Sequence, residues 1–118
     1  MTPADAVAEL FRRVPEARDS CCIDGIEMAA QPFIVFASLA NFVSMEVRAG
    51  HAGLDCPVDR VGALVEELVA GAEAVELVRF AFLPGLKTEL GSVAADLACL
   101  GPRTRELFRQ GRPDLWTP

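Results

Sequence analysis

PFIVFASLANFVSMEV, residues 32–47, is the most apolar part of the chain, and its reading decides the fold. At 3.6 residues per turn, Val35, Phe36, Leu39, Phe42, Val43 and Val47 share one broad side. Ser38, Asn41, Ser44 and Arg48 fall opposite, with Ile34, Ala37 and Met45 mixed among them. No two-residue alternation runs through the stretch, which excludes a strand. The polar side is thin, and a helix apolar almost all round is covered by other elements on most sides. Pro32 suits a first helical turn, where its missing N–H costs nothing. Gly50 and Gly53 are suitable stops. The spacing therefore predicts a central helix over 33–48. It is too short and too interrupted to span a bilayer, which takes about 20 apolar residues.

Outward from this stretch, the chain reads as amphipathic helices separated by Gly and Pro. Thr2-Pro3-Ala4-Asp5 is a helix start with the makings of a capping box. Val7, Leu10, Phe11 and Val14 follow as one stripe, and Pro15 ends it. Residues 19–31 read as a loop with at most one helical turn. Residues 51–57 read as a turn, with Asp55 or Cys56 as cap for a helix entered at Pro57. Val58, Val61, Leu64, Val65, Leu68 and Val69 lie on one face of that helix, which Gly71 ends. The next helix spans 73–83, with Ala74, Val75, Leu77, Val78, Ala81 and Phe82 inward and Phe80 and Leu83 off that face. Pro84-Gly85 is expected to break it. Thr88 then caps a helix over 88–100, and Gly101-Pro102 opens a last short one bearing Leu107 and Phe108. Residues 113–118, with Trp116, read as a loose tail. The expectation is one all-α domain over 1–118, with five to six short helices. They form an irregular bundle or a short α-solenoid of hairpins, 57–70 with 73–83 and 88–100 with 102–110.

Composition narrows function mainly by exclusion. A chain of 118 residues favours one domain with one core. A hydrophobic content of 52% with 24% charged residues excludes disorder. The net charge of −6 opposes nonspecific attraction to nucleic acid or an anionic membrane. Residues 19–99 hold twelve acidic and four basic groups, and residues 100–118 hold four arginines against two acids. That distribution favours pairing of Arg103, Arg105, Arg109 and Arg112 with the acidic middle over nucleic-acid binding. Ten of the eleven basic residues are Arg, which with abundant Ala and Gly hints at a GC-rich bacterial genome. Cys21, Cys22, Cys56 and Cys99 form no C-x-x-C pair and have no neighbouring His, so they read as free thiols in a cytoplasmic protein. No secretory signal pattern opens the sequence.

Three segments carry a resemblance: PFIVFASLANFV, then VELVRFAFLPGL with its Phe82-Leu83 pair, then LGPRTRELF with Leu100-Gly101-Pro102 entering a basic final helix. Together with Pro15-Glu16 they cover most of the chain, which resembles a family of small, uncharacterised, all-helical bacterial proteins. Pro84 stands where the family pattern has an acidic residue. The resemblance implies an all-helical fold and, by likeness to some members, an immunity-protein-like role.

No catalytic constellation and no metal set is read from the residues. His51 has only Asp55 and Cys56 near it, a weak zinc pattern. Phosphate loops, nucleophile elbows and H-E-x-x-H are absent from the sequence, and no cofactor is expected. Glu66, Glu67, Glu73 and Glu76 around Gly71 form an acidic patch that can steer a basic protein partner. The expectation is therefore a noncatalytic protein–protein interaction module, immunity-type or adaptor, with that acidic face. A small-ligand pocket beside the central helix, lined by Cys22, Ser38, Asn41 and Met45, is the alternative. A homodimer with Phe80 and Leu83 as its apolar seam is the third.

Overall fold

The computed structural model describes residues 1–21, 30–50, 57–91, 94, 97 and 99–110. Among them the elements are all helical: α1 (Pro3–Arg13), a 3-10 turn (Pro15–Ala17), α2 (Arg18–Cys21), α3 (Pro32–Arg48) and α4 (Pro57–Ala70), followed by α5 (Val75–Leu77), a π segment (Val78–Phe82), α6 (Leu83–Leu90) and α7 (Pro102–Gln110).

Local signals set the starts. Thr2 Oγ1 accepts from the Asp5 amide at 3.2 Å, and the Asp5 carboxylate accepts from the Thr2 amide at 3.2 Å, completing the capping box. Pro32 and Pro57 sit in first turns, as expected. Helix α3 occupies the centre. It buries Val35, Phe36, Leu39, Ala40, Phe42, Val43 and Ser44, and it packs most extensively on the π segment and α6. The Arg48 guanidinium reaches the Glu89 carbonyl, while Ala40 faces Gly85. These two contacts advance together, so α3 and α6 run in the same direction. Helix α4 runs antiparallel to α1, because the N-terminal amine lies 3.7 Å from Glu73 whereas Arg13 and Glu16 meet Arg60.

The structure corrects four expectations. Pro84-Gly85 does not break the helix, which continues from 75 to 90 through the π segment. A proline lacks the N–H that would bond residue i−4, and its ring crowds that carbonyl. A wider turn just before Pro84 relieves both problems, and the Leu83 amide donates to the Val78 carbonyl, five residues back. Gly85 is what brings α6 onto α3, since a Cβ there would lie 2.6 Å from the Ala40 Cβ. The stop comes later, at Gly91, whose φ of 65° is a left-handed value that suits glycine.

The helix expected over 88–100 is therefore not formed as read. Residues 88–90 close α6, although Ala94, Leu97 and Leu100 are buried as the stripe implied. The hairpin stacking fails with it. Helix α4 packs on α1 and α7, and α3 packs on α6, so the architecture is an irregular bundle. Ser44, on the polar side of the helical wheel, is fully buried. Its hydroxyl donates to the Ala40 carbonyl at 2.8 Å, which removes the cost of burial. The expected cap at Asp55 or Cys56 and the tail 113–118 lie outside the described residues.

Candidate functional site

The covering of α3 is incomplete. Phe33 is 44% exposed, Ile34 37% and Met45 57%, and Ala37 and Asn41 are exposed between them. Ile34, Ala37, Asn41, Met45 and Arg48 recur at spacings of three, four, four and three, which places them on one face. At about 1.5 Å per residue, Ile34 to Met45 spans roughly 17 Å, or three turns. Asn41 lies in the middle, and its side-chain amide contacts the Met45 sulfur at 3.7 Å. The sequence carried the signal for this face in the apolar residues that interrupt the polar arc. Phe33 was assigned to no side.

Of the residues assigned to a ligand pocket, Asn41 and Met45 lie on this exposed face and Ser38 is half-buried beside it. They share a surface. Cys22 lies outside the described residues, as do His51 and Cys56; Cys99 is half-buried. A cleft of about 610 Å³ lies elsewhere, between α4, the α5–π region and α7.

Two members of the acidic patch, Glu66 and Glu67, are engaged within the chain. Both Glu66 carboxylate oxygens are engaged by the start of α7: Oε2 accepts from the Arg103 amide at 2.9 Å, and Oε1 accepts from the Thr104 amide at 2.9 Å and the Thr104 hydroxyl at 2.8 Å. Burial raises the Glu66 pKa, but those hydrogen bonds outweigh it and the net shift is downward. Glu66 is thus the N-cap of α7, supplied from another helix, and its charge suits the positive end of the helix dipole. Gly101 makes room, since a Cβ there would lie 2.5 Å from the Glu66 carboxyl carbon.

Glu67 is paired with the Arg13 guanidinium, which also donates to Glu9 at 2.8 Å. The Arg13 bond lowers the Glu67 pKa, and Arg12 and Arg13 together lower that of Glu9 to about 2. Glu73 and Glu76 remain exposed, Glu73 beside the N-terminal amine. The dimer seam is corrected as well. Phe80 is 54% exposed, but Leu83 is fully buried, so the pair does not form one exposed strip. The π turn between them shifts the register on which that reading rested.

The basic C-terminal residues pair within the chain in part. Arg109 meets Glu106 at 3.1 Å, and Arg105 donates to the Leu97 carbonyl at 2.8 Å. Among the described residues no three His, Cys, Asp or Glu side chains converge as a metal set, and no helix is long and apolar enough to cross a membrane. No known protein family, curated protein or solved structure matches the chain.

Proposed function

We propose that this chain is a noncatalytic helical interaction module and that it docks a helix of a partner protein on the outer face of α3. The observation that carries this is the exposure of Ile34, Ala37 and Met45 on one face of the helix that otherwise forms the core, with Phe33 exposed at its edge in the first turn. An apolar strip with three- and four-residue spacing is what an amphipathic helix fits. Asn41 at its centre supplies a polar group that fixes register, as a lone Asn does in a coiled-coil seam. Covering three side chains that are already about half-buried contributes roughly 2–4 kcal/mol before association costs. That suits a reversible contact. An immunity-type role is one form of this reading, with a toxin as the partner.

The test is a photo-crosslinking residue at Ala37 in cells of the source organism. The expected result is one adduct that disappears when Ile34→Glu and Met45→Glu are combined, while the melting curve is retained because both side chains are exposed. A folded protein with no adduct, or the same adduct from the double variant, would refute the reading. An adduct of twice the chain's mass would make the partner a second copy.

A further inference from the structure

The cleft of about 610 Å³ is open to solvent and falls within the volume range of small-molecule sites. Its wall is apolar: Val69 and Ala70 from the end of α4, Val75 from α5, and Pro102 and Leu107 from α7. Leu107 is buried and Val69 and Val75 are half-buried, so this wall is continuous with the core. Two arginines line the same cleft, Arg79 from the π segment and Arg103 from the first turn of α7.

These two differ from most other described arginines. Arg12, Arg13, Arg48, Arg60 and Arg109 each meet a carboxylate. Arg79 lies over the Phe80 ring at 5.9 Å, and neither it nor Arg103 makes a salt bridge among the described residues, although the Arg103 charge also acts on Glu66. Among the described lining residues the one carboxylate is Glu106, which meets Arg109 at 3.1 Å. The α7 amides of Arg103 and Thr104 are already engaged by Glu66, which leaves the side chains as the donors available to a ligand.

We propose that this cleft binds a small organic anion with an apolar body. A carboxylate or phosphate monoester head lies between Arg79 and Arg103, whose planar forks match either group. A hydrocarbon or aromatic body covers Val69, Val75 and Leu107. An exposed ion pair alone adds little, so the apolar wall is needed to hold the ligand and the arginines to orient it. A bare inorganic anion meets only half of the site, and a cation is repelled. This site is independent of the outer face of α3.

The test is a titration of the whole chain with octanoate and octyl phosphate, followed by backbone amide NMR. Octan-1-ol, octylammonium and inorganic phosphate serve as neutral, cationic and bare-anion controls. Either or both octyl anions should shift the amides of Ala70, Val75, Arg79 and Leu107 saturably, and which one binds identifies the head group. Combined Arg79→Ala and Arg103→Ala should weaken binding about tenfold or more, as loss of charge-assisted hydrogen bonds does. Glu106→Gln should strengthen it. No saturable shift by about 10 mM of either anion, where even a weak site fills, would overturn the proposal. So would equal binding by any control, or unchanged affinity in the double variant.

Discussion

Glu66→Ala separates a structural carboxylate from a surface one. The side chain accepts three hydrogen bonds, two from the first-turn amides of α7 and one from the Thr104 hydroxyl. Losing an N-cap costs about 0.5–2 kcal/mol. Thr104 is fully buried, so its hydroxyl and amide lose their acceptor where water enters poorly. Such an orphaned polar group costs about 1–3 kcal/mol. The Arg103 amide is near the surface and can turn to water, which holds the total to roughly 2–4 kcal/mol. Against a typical stability of about 5–15 kcal/mol, that is a melting-temperature drop of about 10 °C or more.

Glu66→Gln retains one acceptor oxygen and turns an NH2 toward the other donor, so about 1–2 kcal/mol is expected. Gly101→Ala should mimic the loss by pushing the Glu66 carboxyl away, because the new Cβ would lie 2.5 Å from it. Urea denaturation followed by helical circular dichroism at neutral pH measures all three. A Glu66→Ala midpoint equal to that of the unsubstituted protein would refute the cap. If that variant also failed to bind a partner, Glu66 would be the surface acid that the sequence suggested.

Further outcomes follow from the same structure. Phe36 is fully buried at the centre of α3, so Phe36→Ala should cost about 3–5 kcal/mol, and an unchanged melting curve would displace α3 from the core. Gly85→Ala gains about 1 kcal/mol of helix propensity but drives a Cβ to 2.6 Å from that of Ala40. Overpacking of this kind costs about 1–3 kcal/mol, so the variant should be less stable by about 1 kcal/mol, and a more stable protein would mean that α3 and α6 are not in close contact. Acid should weaken the fold in a defined window. Asp5, Glu9, Glu16, Glu66 and Glu67 all have folded pKa values below their ordinary ones. A depressed carboxylate stabilises the fold above its unfolded pKa and loses that contribution as pH falls through the folded value. Urea midpoints should therefore be level above the ordinary Glu value of 4.5 and fall progressively toward about 2, where Glu9 titrates. A midpoint that holds constant across that range would contradict the pairing of Arg13 and Arg60 with these acids.

Much of the fold is written locally. The Thr2–Asp5 capping box, prolines at the starts of α3 and α4, and apolar stripes with helical spacing all act within one or two turns. Neighbouring residues suffice to read them, and α1, α3 and α4 formed close to where the pattern placed them. Burial of Ala94, Leu97 and Leu100 was legible for the same reason, although the helix drawn through them was not. The outer face of α3 was half-legible. Its apolar interruptions are visible in the sequence, but which arc stays uncovered depends on where α6 and the other helices settle.

Tertiary contact decided the rest. Pro84 removes a hydrogen bond in any setting, and whether the chain then breaks or widens into a π turn depends on what holds the two ends in line. Here Gly85 seats α6 against Ala40, and the helix continues. Glu66 looks like every other acid on an exposed helix face until Arg103 and Thr104, more than thirty residues later, bring two amides and a hydroxyl to it. Sequence by itself determined α1, α3 and α4 and most of their apolar sides, because those follow from bonds between near neighbours. Only the folded chain decided which polar groups are engaged between elements, since there a carboxylate or guanidinium acts according to the partner that distance in space, rather than along the chain, provides.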